Sequence, residues 1–211
     1  MPSLTLLENQ GFCNTNYLLK TDTKKYIIRV FGSLHVNRKK EFQIAYEAYK
    51  KGIAARPIYQ DNSFMIYEFL EGTHKYKLNK KDIKTIAILL KKLHQISTDK
   101  KLFNKKRDHV LCHHDLNPKN FVFSNNIKLI DWEYARLNDR YFDLATVIIE
   151  FNLNQKEEKL FLHSYFKSSY EIDKKKVYSF KAEYSSLCKN WFTNQKDKIK
   201  YIKKLYECNK R

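Results

Sequence analysis

Apolar and polar positions divide the chain into two unlike parts. Up to about residue 70 the apolar residues come in short runs with β-branched and aromatic members, broken by turn residues. The spacing predicts strands over 4–7, 15–19 and 25–31, with turns at Gln10-Gly11 and Thr21-Asp22-Thr23. A second strand pair, 56–59 and 64–69, flanks Asp61-Asn62. Between them, 37–51 reads as a helix with Phe42, Ala45 and Tyr49 on one face. Beyond residue 70 the period is mostly helical. Ile83, Ile86, Ala87, Leu90 and Leu93 mark a helix over 80–97, whose His94 reads as structural. Further helices are expected at 139–151, 154–167 and 174–195, then a separate basic helix at 197–206 with Ile199, Ile202 and Leu205 inward. In 174–195, Val177, Phe180, Tyr184, Leu187 and Trp191 form one stripe, which reads as core apart from Trp191. The fold class is therefore α+β, a small sheet-rich part (1–70) followed by a larger, mainly helical one (71–211).

One stretch of the second part, 110–145, departs from helical spacing. Phe121-Val122-Phe123 and Ile127 to Ile130 enclose the turn Ser124-Asn125-Asn126, a hairpin signature. Its ends bring Asn120 and Asp131 near each other, with Asp115 on the loop leading in. That arrangement suits phosphoryl transfer from ATP. One carboxylate, Asp115, orients the attacking hydroxyl and takes its proton. A second carboxylate and an amide oxygen, Asp131 and Asn120, are oxygen donors of the kind Mg²⁺ prefers. The adjacent His113-His114-Asp115 raises a metal-hydrolase alternative, but no H-x-x-x-H or C-x-x-C spacing accompanies it.

The motifs in this stretch are His113-x-Asp115-x-x-x-x-Asn120, Ile130-Asp131-Trp132-Glu133-Tyr134 and Asn138-Asp139-Arg140-Tyr141-Phe142-Asp143-Leu144-Ala145. Together they resemble the catalytic core of the choline/ethanolamine kinase and aminoglycoside phosphotransferase superfamily, relatives of protein kinases, with bacterial choline kinases the nearest in pattern. The resemblance implies a protein-kinase-like fold of two lobes that uses ATP and Mg²⁺. It implies that His113 supports the metal-binding Asp131, that Asn117 touches the substrate hydroxyl, and that Asp143 braces the catalytic loop. In the small lobe, Thr15-Asn16 matches the polar pair of the phosphate-covering loop, which here carries the single glycine Gly11. Arg29 stands where these kinases place the phosphate-contacting cation, with Glu41 as its partner and Glu47 as the alternative; Arg38-x-x-Glu41 also resembles the family. The backbone of Glu68 to Leu70 is expected to meet adenine.

The same resemblance points to the acceptor. A quaternary ammonium is held by aromatic faces with a carboxylate nearby. Tyr134 and Glu150 stand in the relation that choline-pocket residues have in choline kinases, and Trp191 resembles the tryptophan of the late helix that walls the pocket. Choline is therefore the first expected acceptor. Ethanolamine, thiamine and an aminoglycoside are alternatives, because thiamine kinases share the Leu129-Ile130-Asp131-Trp132-Glu133-Tyr134-Ala135 string. Residues 97–108 are short where larger family members carry additional helical material.

Composition changes this picture little. The 211 residues carry 41 Lys+Arg against 23 Asp+Glu, a formal net charge of +18. A basic surface can bind nucleic acid, or the chain can be a pseudokinase that has kept the fold. The lysines are scattered without a nucleic-acid motif, and Asp115, Asn120 and Asp131 are all present, so both readings rank below the enzyme. Four cysteines without metal or redox spacing, no long apolar run and no signal-peptide pattern at Met1-Pro2-Ser3 give the expectation of a cytoplasmic protein with no membrane insertion. Nothing in the sequence sets an oligomeric state.

Overall fold

The computed structural model describes residues 1–8, 14–32, 36–97 and 109–208, with side chains described up to 194. The turn at Gln10-Gly11, Cys13, residues 98–108 and the side chains of Ile199, Ile202 and Leu205 lie outside the described residues.

Five strands form one antiparallel sheet: β1 (Ser3–Leu6), β2 (Asn14–Lys20), β3 (Lys25–Phe31), β4 (Pro57–Gln60) and β5 (Phe64–Glu68), in the order β1-β2-β3-β5-β4. The register sets Asn16 opposite Arg29, and Arg29 opposite Met65. Helix α1 (Arg38–Lys50) links β3 to β4. It starts where the Asn37 side chain accepts the Lys40 N–H, filling an unpaired donor of the first turn. Its buried face is Ile44, Ala45 and Ala48, with Phe42 and Tyr49 packed on the margin of the core.

The second part opens on α2 (Lys80–His94), begun by a reciprocal cap between Asn79 and Asp82. Strand β6 (Val110–Cys112) pairs antiparallel with β9 (Arg136–Asn138), and β7 (Phe121–Phe123) with β8 (Ile127–Leu129). Helices α3 (Arg140–Glu150), α4 (Gln155–Phe166) and α5 (Lys174–Cys208) complete it. The core runs through both parts, from Ile44, Ala48 and Met65 to Leu90, Phe121, Leu129, Trp132 and Phe161. Among the described residues no helix is long and apolar enough to cross a membrane.

Three features differ from the sequence expectation. The β6–β9 ladder joins runs of three residues too short to signal a strand alone. The last two expected helices are one 35-residue helix, α5, because nothing between 195 and 197 breaks it: there is no Gly, no Pro and no cap. Along α5, Val177 and Tyr184 are buried as expected, but Leu187 is 45% exposed, since the core ends before that turn.

Candidate active site

The loop between β6 and β7 carries Asp115. Asn117 caps the short 3-10 turn Pro118–Asn120 by accepting the Lys119 N–H, and its amide donates to Asp115 Oδ1 at 2.9 Å. The Asn120 amide donates twice, to the Asp115 backbone oxygen and to Asp115 Oδ2, both at 2.8 Å. Both carboxylate oxygens are thus aimed by amides, and each keeps a lone pair for a substrate hydroxyl. Because its N–H groups go to Asp115, Asn120 has its amide oxygen left for another ligand.

Ile130 N–H donates to the Asn120 carbonyl at 3.0 Å, which sets Asp131 beside Asn120 across the mouth of the β7–β8 hairpin. Asp131 has φ +70°, an uncommon conformation for a residue with a side chain. His113 stabilises this corner. Its Nε2 donates to the Ile130 carbonyl (3.1 Å), and its Nδ1 accepts the Asp115 N–H (3.3 Å), which fixes a neutral tautomer. Burial holds the His113 pKa below its usual value despite the carboxylates around it.

Beneath the loop, Asp143 is fully buried on α3. It accepts the backbone N–H groups of His113 (2.8 Å) and His114 (3.1 Å), and His94 Nε2 meets it at 3.1 Å. Burial opposes its charge, but the His94 bond, the neighbouring imidazoles and the His113 N–H hold its pKa below the usual carboxylate value. His94, read from sequence as structural, is thus part of this brace, and its Nδ1 lies 2.7 Å from the Tyr165 hydroxyl.

From the sheet, Arg29 reaches across. Its Nη1 bonds Asp131 Oδ1 at 2.8 Å and Glu41 Oε1 at 3.2 Å, and its Nε bonds Asn16 Oδ1 at 3.3 Å. Nη2 enters none of these bonds. Burial works against the guanidinium charge, but Asp131, with Glu41 and Glu133 behind it, raises the Arg29 pKa above its ordinary value. Glu41 is therefore the Arg29 partner; Glu47 pairs with Lys50 on the exposed face of α1. Thr15 and Asn16 lie inside β2, so alternation turns Thr15 to the opposite, exposed face. Asn14, which the sequence reading passed over, shares the face of Asn16. The pattern Arg38-x-x-Glu41 was legible, but the joining of Asn14, Arg38 and Glu133 was not, because their bonds link residues 24, 95 and 119 positions apart.

Glu68 and Leu70 line a cavity of about 220 Å³ with Phe69, Glu71, Val122, Ser124 and Lys128. The Glu68 N–H is committed to the Arg56 carbonyl and the Phe69 N–H to the Lys25 carbonyl. The Leu70 N–H enters none of the described bonds.

Glu150 ends α3 and accepts the Tyr184 hydroxyl of α5 at 2.6 Å. One turn along, the Cys188 thiol has its pKa raised by burial, with the Glu150 and Asp115 carboxylates adding to the effect. This side chain therefore lies within electrostatic reach of both carboxylates. Trp191, a further turn on, is 40% exposed and packs edge-on against Phe192. Tyr134, in the turn 132–135, is 41% exposed.

Comparison with known proteins agrees with this layout. A family model described as "Phosphotransferase enzyme family" matches residues 6–109 and 100–175. The chain belongs to that family. Over 55 residues it is 42% identical to protein LicA of Haemophilus influenzae, a match spanning 26% of this chain and 21% of that protein, about a fifth of its length. Among solved structures, the choline kinase LicA from Streptococcus pneumoniae superposes with a TM-score of 0.71 at 24% identity, over 84% of this chain and 80% of that one. An ethanolamine kinase of Plasmodium vivax superposes with a TM-score of 0.68 at 20% identity, over 85% and 70%. At these identities the likeness establishes a kinase-like fold, an antiparallel sheet followed by a helical part.

Proposed function

We propose that this protein transfers the γ-phosphoryl group of ATP to the hydroxyl of a small cationic alcohol, choline in the first instance. The observation that carries the reading is the cluster of Asp115, Asn120, Asp131 and Arg29, in which Asn120 bonds Asp115 and Arg29 bonds Asp131. Asp115, held by Asn117 and Asn120, orients the acceptor hydroxyl and takes its proton as the new O–P bond forms and the bond to the β-phosphate oxygen breaks. The Asn120 amide oxygen and the Asp131 carboxylate fit Mg²⁺ by donor type. When bound there, Mg²⁺ neutralises phosphate oxygens. Arg29 offers its Nη2 to the phosphates while Glu41 and Asp131 fix its other amino group. The adenine binds at the Glu68–Leu70 cavity. The two parts, 1–70 and 71–211, are read as the nucleotide lobe and the catalytic lobe.

The acceptor reading rests on Glu150. Its carboxylate is fixed by Tyr184 and acts, like that of Asp115, on Cys188, and the partly exposed rings of Tyr134 and Trp191 are the aromatic groups for an ammonium. The LicA and ethanolamine kinase likenesses support an amino alcohol. The test is Mg²⁺-dependent ADP release from ATP with choline, ethanolamine, thiamine or kanamycin. Turnover on choline above the other three is the expected result. Turnover on another member keeps the chemistry and discards the choline pocket; silence on all four discards the enzyme reading for these acceptors.

A further inference from the structure

Glu133 lies two residues beyond Asp131, in the turn closed by Ala135 N–H on the Trp132 carbonyl. Its side chain is only 6% exposed. A carboxylate withdrawn from water needs partners in good geometry. Glu133 Oε2 has two: Arg38 Nη1 at 3.2 Å and Asn14 Nδ2 at 3.0 Å. Arg38 is shared, bonding Glu41 Oε2 at 2.7 Å and Asn14 Oδ1 at 3.0 Å, and its guanidinium lies 4.4 Å from the centre of the Phe31 ring. Glu41 in turn pairs with Arg29, and Arg29 with Asp131. Two arginines, three carboxylates and Asn14 therefore form one buried lattice spanning β2, β3, α1 and the segment after β8.

Asp131 needs such a frame. At φ +70° its backbone holds only if both flanks are fixed. On one flank, Asn120 and His113 hold Ile130 through its N–H and carbonyl. On the other, Glu133 reaches back to Asn14 of β2 and Arg38 of α1, beside the direct bond of Asp131 to Arg29 of β3. Asn14, at the other end of that anchor, is the first residue of β2 and lies within the stretch read as covering the phosphates.

We propose that Glu133 is a positioning residue for the magnesium–nucleotide complex, holding Asp131 and the start of β2 in one fixed relation so that metal and phosphates are gripped together. This rests on the reading of Asp131 as a metal ligand. A lattice that merely glues the two parts together weakens all nucleotide binding alike when cut. A positioning residue weakens the magnesium-linked part.

The experiment measures ADP affinity by calorimetry, with Mg²⁺ and with EDTA, on the wild type, Glu133→Gln and Asn14→Ala, each confirmed folded by a thermal melt. Glutamine at 133 removes the charge that pairs with Arg38, while its amide oxygen can still accept in the place of Oε2; alanine at 14 removes the bonds to Glu133 and Arg38 while leaving the charges paired. The expected result is metal-free affinity within about twofold of wild type, with the gain from Mg²⁺ reduced about tenfold in Glu133→Gln and less in Asn14→Ala, the scale seen for residues that hold metal ligands. Unchanged affinities, or equal losses with and without Mg²⁺, overturn the proposal and leave Glu133 as a structural tie. If Glu133→Gln does not fold, Asn14→Ala decides by the same criterion. A wild type that gains nothing from Mg²⁺ removes the reading of Asp131, and this proposal with it.

Discussion

A carboxylate that takes a proton in the transition state must be aimed yet still basic. Asn117 and Asn120 aim Asp115 with neutral amides, one on each carboxylate oxygen. Asp115→Ala is expected to cut turnover by roughly 10²–10⁴-fold while leaving nucleotide affinity about unchanged; retained turnover removes Asp115 as the base. Its neighbour His114 carries a different consequence. It has φ +68°, packs against Phe142 with ring centres 4.2 Å apart and the planes tilted by 34°, and has two buried ring nitrogens with no partner. Burial lowers its pKa to about 4. Between about pH 6.5 and about 4 the unfolded chain binds a proton here that the folded protein refuses. Stability is therefore full above pH 6.5 and declines as the pH falls towards 4, by on the order of 2–3 kcal/mol. His114→Asn tolerates the left-handed backbone and does not titrate. Denaturant melts at pH 7.5 and pH 5 should show a smaller loss in that variant, and equal losses would clear His114 of the effect. The sequence showed these histidines beside the base, but which one bonds and which is only buried depends on the Ile130 carbonyl and Phe142, neither of which any local pattern announces.

Elements position the site through a few close approaches. The segment after β5 is laced to β7 by Thr73 N–H on the Phe123 carbonyl (2.9 Å) and Phe123 N–H on the Thr73 carbonyl (2.8 Å). Gly72 is what permits that approach: a Cβ there would stand 2.6 Å from the Phe123 carbonyl oxygen and 2.7 Å from Val122 Cγ1. Gly72→Ala is expected to destabilise the protein by about 1–3 kcal/mol and to weaken nucleotide binding, since Val122 also lines the cavity; an unchanged melting temperature would contradict it. Between α3 and α5 the decisive contact is Tyr184 on Glu150. Tyr184→Phe keeps the ring edge-on to Phe142, 6.0 Å between centres, and removes only the O–H. The acceptor KM should rise about three- to tenfold with the ATP KM unmoved, the scale of one hydrogen bond. Equal changes in both would make the bond a matter of packing alone. Strand and helix periods revealed nearly every element, because each of those patterns is local. The β6–β9 ladder and the role of Gly72 stayed hidden, because both are set by partners far along the chain.

For the whole molecule, charge is distributed in a way composition does not disclose. The chain has a net charge of +18, yet its largely buried lattice sets Arg29 and Arg38 against Glu41, Asp131 and Glu133, so its cations are already outnumbered. The positive excess therefore resides elsewhere, largely on lysines along the surface. Its field attracts a nucleotide from a distance, and it also repels itself across the folded surface. Salt screens both, with opposite consequences. Raising NaCl from 50 to 300 mM is expected to raise the ATP KM several-fold, because attraction over distances beyond about 10 Å is lost. The same change should raise the melting temperature, because self-repulsion is relieved, and leave kcat almost unaltered, because the buried lattice is poorly screened. A nucleic-acid-binding surface predicts something else: duplex affinity falling about 10³–10⁵-fold between 50 and 200 mM salt. A mobility-shift series with a random duplex over that range separates the two, and a steep fall in duplex affinity would move the charge from background to function. A kcat that falls with the rise in KM would show that the phosphates are held by surface lysines rather than by Arg29.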